Sequence, residues 1–190
     1  MKKRNIIISA LLLISVISIN AQTFKKGDLV GNLTLGLGSA LYSGIGYSTS
    51  IPPLAVSADY GIVDNVFDKG TIGIGGLLGY SSAGQTYNYG GFYGGSYSWN
   101  YTYIVIGPRG TIHYPFVDKL DTYAGILLGY NIVSVSTTGN GISTAGAAGS
   151  AAIFSAFVGA RYYFSDKFAG VVELGSGFAY FNIGISLKLK

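Results

Sequence analysis

The sequence predicts an all-β fold, a closed antiparallel up-and-down transmembrane β-barrel of eight strands. Three observations lead to this prediction. Charged residues make up only 11% of the 190 residues, whereas a soluble domain has about 25%. Apolar residues alternate with small or polar residues over most of the chain, with the period of two that is typical of strands. Finally, charged turns recur along the chain and divide it into hairpins.

Residues 1–21 have the pattern of a cleaved export signal. Lys2, Lys3 and Arg4 form a basic start, and the apolar stretch 6–19 is shorter than the 20 or so residues that a membrane-spanning helix needs. We therefore expect cleavage between Ala21 and Gln22, which leaves the barrel as the single domain 22–190. Loss of the leader lowers the formal charge from +4 to about +1, so the basic isoelectric point is no sign of nucleic-acid binding. The chain has no Cys and hence no disulfide framework.

An internal repeat supplies the strand number. Gly-Gly-Leu-Leu-Gly-Tyr at 75–80 returns as Gly-Ile-Leu-Leu-Gly-Tyr at 125–130, and each copy follows an Asp-Lys pair. Four charged turns in all precede such segments, at 26–28, 68–69, 118–119 and 166–167. Four outgoing strands and four returning strands give a barrel of eight.

The two faces of each strand differ in chemistry, and this difference predicts which face meets lipid. In 71–80 one face carries Ile72, Ile74 and Leu78, while the other is rich in Gly. A face with so much Gly and so little charge suits the crowded interior of an eight-stranded barrel, so we expect the apolar face to lie outside. Tyrosines at strand ends are expected to form the interfacial girdles: Tyr60, Tyr80, Tyr114, Tyr130 and Tyr162.

Pro108 departs from this pattern because it lies inside the predicted fourth strand, 102–114. A closed barrel has no free edge at which a missing N–H is harmless. We therefore expect a bulge at Pro108.

The connections on the side away from the charged turns carry no formal charge: 39–52, 82–99 and 134–151. Their length predicts that they are the external loops, whereas the short charged turns face the periplasm. One connection is rich in aromatics, and residues 84–97 are expected to lie outside the strand ladder. Its composition is typical of adaptable contact surfaces, so it is a candidate partner-binding loop; the alternative is an aromatic belt that continues into a loop. Its aromatics are Tyr87, Tyr89, Phe92, Tyr93, Tyr97 and Trp99, and Tyr101 and Tyr103 follow them.

Four charged residues fall within predicted strands: Asp59, Arg109, Arg161 and Glu173. The period-two count points all four into the lumen, where two acids and two bases balance. Arg161 and Glu173 flank the same turn, so we expect them to face each other on neighbouring strands. The four are predicted to form one ionic network that plugs the periplasmic half of the lumen; the alternative is a hydrated lining for a solute path.

The C-terminal residues carry a family resemblance. Asn182, Gly184, Leu187 and Leu189 match the assembly signal of bacterial outer-membrane barrels, in which a polar residue, a Gly and two apolar residues recur at fixed spacing. Together with 159–164 and 123–130, this segment makes the chain resemble the porin-like outer-membrane β-barrel family of small barrels over residues 23–189. The resemblance implies an outer-membrane location in a Gram-negative cell, with membrane lipid and the barrel-assembly machinery as partners.

The sequence offers little chemistry. We find no catalytic, cofactor-binding or metal-binding motif, and His113, the single histidine, lies at the periplasmic end of a strand, away from the external rim. The sequence therefore predicts a non-enzymatic barrel with a structural or surface-interaction role through its external loops, where it would meet an extracellular ligand or protein. A narrow channel or small-solute binder is the first alternative, and a lipid-modifying enzyme built on His113 is the second.

Overall fold

The computed structural model describes residues 24–39, 41, 47–89, 95–139, 142–147, 149–176 and 178–190. The predicted leader and its cleavage site at Ala21–Gln22 lie outside these residues. The described chain forms nine strands: β1 (Leu29–Leu37), β2 (Tyr47–Val66), β3 (Gly70–Tyr89), β4 (Gly95–Val117), β5 (Leu120–Gly139), β6 (Ile142–Ala147), β7 (Ala151–Tyr163), β8 (Phe168–Gly175) and β9 (Phe181–Lys188). Among these residues, no helix has the length and apolar character needed to cross a membrane.

The strands close into an antiparallel ring of eight positions. β1 pairs with both β2 and β9, and the ring continues through β3, β4 and β5 on one side and β8 and β7 on the other. β6 and β7 both pair with β5, opposite 134–139 and 120–131 respectively, so they lie end to end and fill one position. The predicted closed barrel of eight strands is confirmed.

The apolar face of the strands lies outside, as predicted. On β1, for example, Leu33 and Leu35 are exposed, whereas Asn32 and Thr34 are buried. The same alternation runs through β5 and β8. Since exposed leucine and isoleucine would be unfavourable in water, this belt is suited to lipid. It is bounded towards the charged turns by exposed aromatics, with Phe67, Phe116 and Phe164 each at or beside a turn.

Strand length divides the barrel into a tall side and a low side. β3, β4 and β5 have 20, 23 and 20 residues, whereas β8 and β9 have eight each. On the side away from the charged turns, strands therefore continue beyond the apolar belt. They extend through most of the segments that the sequence predicted to be external loops. That prediction was wrong for 47–52, 82–89, 95–99, 134–139 and 142–147, all of which belong to strands. The segment 84–97, which was expected to lie outside the strand ladder, is likewise paired strand over 84–89 and 95–97.

The bulge expected at Pro108 is absent. Pro108 pairs with Gly76 of β3, and the β4–β5 register is the same at Ile106 and at Arg109, on either side of it. Since Pro108 has no N–H to give, the ladder merely lacks a bond there. At the preceding Gly107, β4 and β5 lie so close together that a Cβ would overlap the backbone of Leu128. The two strands therefore stay in line past Pro108.

Closure of the ring at the β1–β9 seam depends on glycines such as Gly184, which generates a prediction. A Cβ on Gly184 would overlap the carbonyl oxygen of Leu33, whereas a Cβ on Gly31, in the same seam, would meet only the Leu189 side chain at 3.6 Å. We expect Gly184→Ala to reduce the folded fraction sharply and Gly31→Ala to leave it near the wild-type value. Migration on gels with and without boiling measures the folded fraction. Equal folded yields for the two variants would contradict this account of the seam.

Candidate functional site: a filled lumen beneath an aromatic face

Buried charges occupy the lumen near the charged turns. Arg109 on β4 lies between Asp59 on β2 and Glu173 on β8: its Nε is 2.9 Å from Asp59 Oδ1, and its Nη2 donates to Glu173 Oε1 at 2.7 Å. The contact with Asp59 Oδ1 is an ion pair without hydrogen-bond geometry. Arg161 on β7 donates through Nη2 to the other oxygen of Asp59. The structure thus brings together all four charged residues that the sequence placed in the lumen.

The expected partnership of Arg161 with Glu173 is wrong. Glu173 pairs with Gly159 across the β7–β8 ladder, and Arg161 pairs with Val171. The register is offset by two residues from the one that the sequence predicted, because the turn is not centred where the Asp-Lys pair suggests. Arg161 instead donates through Nη1 to Asp121 Oδ2 at 3.0 Å.

Asp121 and His113 extend this group of charges and were not predicted to belong to it. Asp121 follows the charged turn 118–119, yet it is 1% exposed on β5 and lies 2.9 Å from His113 Nδ1. His113 Nε2 lies 2.9 Å from Thr111 Oγ1. The alternation through Tyr123 would have placed Asp121 inside. We call Asp59, Arg109, Asp121, Arg161 and Glu173 the ionic cluster, which contains three carboxylates and two guanidiniums.

Uncharged partners add hydrogen bonds to the ionic cluster. Asn32 Oδ1 accepts from Arg161 Nε at 3.1 Å, Ser57 Oγ accepts from Arg109 Nη1 at 3.2 Å, and Tyr123 donates to Glu173 at 2.8 Å. Aromatic rings cover the guanidiniums, with Phe157 4.4 Å from Arg109 Cζ and Tyr123 4.4 Å from Arg161 Cζ. Such contacts matter because a buried charge without partners costs several kcal/mol.

Apolar side chains close the lumen on both sides of the ionic cluster. On the side of the charged turns, Phe24 is buried with its ring 4.0 Å from that of His113. On the other side, the β8–β9 connection folds inward and places Phe178 and Ala179 against Val105 and Leu127. We call these last four residues the apolar cap. A cavity of about 30 Å³ remains between the cap and the cluster, enough for roughly two waters.

On the side of the apolar cap away from the charged turns, the inner face of the strands becomes apolar and the outer face becomes polar. These strands form the wall of the barrel. We call the strand segments beyond the apolar belt the outer extension: 47–52, 81–89, 95–103, 133–139 and β6. On β4, Tyr103 and Val105 are buried, and Tyr97, Trp99 and Tyr101 lie on the same inner face by alternation. The outer face carries Ser98, Asn100 and Thr102 instead of leucine and isoleucine. The wall is therefore apolar inside and polar outside, as expected for a β-structure in water.

The residues of the predicted partner-binding loop fall mainly on this wall. Tyr87 lies on β3 opposite Tyr97 of β4, and Trp99 is two residues further along β4. Tyr89 ends β3, and its side chain lies outside the described residues, as do Phe92 and Tyr93. The alternation of aromatic and polar residues over 97–103 is a strand signal that was available in the sequence. It was missed because the expected strand had its apolar face outward.

The residues of the predicted assembly signal lie at the ring closure. Asn182 and Gly184 are on β9 opposite Gly36 and Thr34 of β1. Leu187 pairs with Gly31, and Leu189 follows β9 and is exposed. Asn182 lines the small cavity beneath the apolar cap, so the segment faces lipid with its leucines and the lumen with its amide.

Comparison with known proteins concerns the fold. No protein-family model matches the chain, and the search of curated proteins gave no match. Solved structures do match: a designed transmembrane β-barrel at 18% identity, with a TM-score of 0.44 and coverage of 88% of this chain and 100% of that one. The N-terminal β-barrel domain of Pseudomonas aeruginosa OprF matches at 12% identity, with a TM-score of 0.47 and coverage of 87% of this chain and 100% of that one. The Yersinia pestis attachment invasion locus protein Ail matches at 11% identity, with a TM-score of 0.42 and coverage of 86% of this chain and 95% of that one.

The chain has the fold of a transmembrane β-barrel. Its eight strand positions form a closed antiparallel ring with an apolar exterior. At TM-scores of 0.42–0.47 and identities of 11–18%, the solved structures carry over neither residues nor activities. The chemistry of this barrel has to be inferred from its own lumen and wall.

The contacts of the ionic cluster generate a prediction about stability. Arg109→Ala should destabilise the barrel by about 3–5 kcal/mol, because it leaves Glu173 buried without an opposite charge. Glu173→Ala should cost less, because Arg109 keeps its contact with Asp59. The double variant should lose less than the sum of the two, since the residues are in contact. Urea unfolding in lipid vesicles measures all three free energies.

Asp166→Ala is the matched control, because this carboxylate is exposed in the β7–β8 turn. Its effect should stay within about 0.5 kcal/mol. Additive losses below about 1 kcal/mol for Arg109 and Glu173 would favour a hydrated solute path over a plug.

Proposed function

We propose that this protein is an exported outer-membrane barrel without catalytic activity, which acts as a sealed anchor and presents its outer extension at the cell surface. The observation that carries the proposal is the contrast between a filled lumen and a wall that continues above it. The lumen is closed by Phe24, the ionic cluster and the apolar cap. A cavity of about 30 Å³ is far below the 300–1,000 Å³ of ligand pockets, which argues against the channel or solute binder.

The distribution of charge supports the proposed orientation. Every charged residue after the leader lies either in the ionic cluster or near the charged rim, and the segments 29–58, 70–108, 122–160 and 174–187 carry none. Short turns face the periplasm in outer-membrane barrels, and longer connections face outside. We therefore infer that the outer extension is external, with the export signal 1–21 and the C-terminal residues Asn182, Gly184, Leu187 and Leu189 serving export and assembly.

The position of His113 supports a role without catalysis. Its side chain is 1% exposed and is held between Asp121 and Thr111 at the periplasmic end of the lumen. A lipid substrate approaching from the membrane would meet the outer face of β4, whereas His113 points to the inner face. An enzyme built on this histidine would need a substrate path that the described lumen leaves filled.

Cysteine labelling tests the proposed topology, because the natural chain has no Cys. Asn88→Cys lies on the exposed outer face of the β3 extension, and Asp118→Cys lies in the β4–β5 turn. On intact cells a membrane-impermeant maleimide should label Asn88→Cys and leave Asp118→Cys unlabelled until the outer membrane is permeabilised. The reverse pattern would overturn the proposed orientation.

Recordings in planar bilayers test the seal with the same purified protein. We expect no conductance steps from the wild type, because the lumen holds fixed side chains along its length. Regular conductance steps from protein whose folding has been checked would contradict the sealed anchor and favour the channel.

A further inference from the structure

Four aromatic side chains form a surface on the inner side of the outer extension. Tyr97, Trp99 and Tyr101 follow one another at two-residue spacing on β4, and Tyr87 lies opposite Tyr97 on β3. We call these four residues the aromatic face. The rings of Tyr97 and Trp99 are 6.2 Å apart and inclined by 28°. Tyr87 is 63% exposed, and the three rings on β4 are partly buried.

The neighbouring strand keeps this surface flat. Gly139 of β5 is buried and pairs with Tyr97, and a Cβ on Gly139 would overlap the Tyr97 ring. The ring therefore lies across the backbone of β5 instead of standing away from it. Further down the strand, Tyr101 and Tyr103 are inclined by only 22°. The rings thus form a platform of two stacked pairs along the inner face of β4.

Uncharged polar side chains flank the centre of the platform. Trp99 pairs with Gln85 of β3 on one side and with Thr137 of β5 on the other. Alternation places both side chains on the inner face, where they are partly buried. An amide and a hydroxyl can each donate and accept hydrogen bonds. A ligand stacked on Trp99 would therefore meet neutral hydrogen-bonding groups on either side.

The outer extension carries no formal charge, which narrows the chemistry of the ligand. No Asp, Glu, Lys, Arg or His occurs in 70–108 or 122–160. An anionic or cationic ligand would give up its hydration and find no opposite charge. A purely apolar ligand would bury Gln85 and Thr137 without hydrogen bonds. A ligand with flat apolar faces and neutral hydroxyl groups satisfies both kinds of side chain.

We propose that the aromatic face binds a neutral glycan chain, with sugar rings stacked on Trp99 and its neighbours and hydroxyl groups bonded to Gln85 and Thr137. The proposal rests on the external position of the outer extension inferred above. A protein is a poorer match, since a stable interface needs about 800 Å² per partner and the platform faces inward from a curved wall. A chain one sugar wide can lie along it.

Trp99 makes the test specific, because it is the single tryptophan in the sequence. Its fluorescence is titrated in the folded mature protein, held in an amine-oxide detergent that contains no sugar. The probes are maltohexaose, cellohexaose and chitohexaose, with dextran sulfate as the charged comparison. We expect a saturable change with at least one neutral hexasaccharide, with a Kd of about 10 μM to 1 mM, and no saturable change with dextran sulfate.

Three variants and one control connect the signal to the site. Gln85→Ala, Tyr87→Ala and Thr137→Val should each weaken binding by about tenfold, because each removes one contact and leaves Trp99 in place. Thr138→Val is the matched control: Thr138 is adjacent in sequence but exposed on the opposite face, and its affinity should equal that of the wild type.

Failure of this inference can be told apart from failure of the proposed function. If Asn88→Cys is labelled on intact cells but no hexasaccharide gives a saturable change, the anchor stands and the glycan site is wrong. An equal response to dextran sulfate, or wild-type affinity in all three variants, would also overturn the glycan site. Labelling only after permeabilisation would overturn the external position on which both proposals depend.

Discussion

Two guanidinium groups held between three carboxylates form the interaction on which the rest of this barrel depends. Arg109 and Arg161 both contact Asp59, and through Glu173 and Asp121 they join five of the eight ring positions. Buried charges are tolerable only when they are paired and hydrogen-bonded. The strands must therefore keep the register that brings these side chains together, and a slip by one residue would turn them towards lipid.

The same constraint separates the barrel into parts with different tasks. The charged side chains lie in the ionic cluster or at the rim of the charged turns. The part of the lumen beyond the cluster can therefore be closed by Phe178 and its apolar neighbours. Beyond them the wall leaves the membrane, so its apolar face turns inward and its polar face outward. The aromatic face results from this change, because the aromatic rings lie on the inner side of the outer extension. A ligand inside the outer extension would therefore contact them.

Much of the fold could be predicted from the sequence, because period-two alternation and charged turns are local signals. The inward direction of Asp59 and Arg109 followed from alternation alone. The partners of Arg161 did not. Asp121 lies opposite Arg161 in the β5–β7 ladder, and Asp59 comes from β2. Glu173 is excluded by the offset of β7 and β8, because a shift of two residues changes every neighbour without changing any face. The outer extension was missed for another reason. Tyr97, Trp99 and Tyr101 alternate as a strand should, but in a wall surrounded by water the apolar face lies inside.

The central claim, that paired arginines seal the lumen, is tested most directly by nitrogen NMR of the arginine side chains. After the leader the chain has only Arg109 and Arg161, so the spectrum of the mature barrel should contain two Nε–Hε signals, each assignable from one variant. The structure predicts that both exchange slowly with water, because both side chains are at most 1% exposed. Arg161 Nε donates to Asn32 Oδ1, and Arg109 Nε is ion-paired with Asp59. Exchange as fast as that of a free arginine at either position would show a hydrated lumen and contradict the seal.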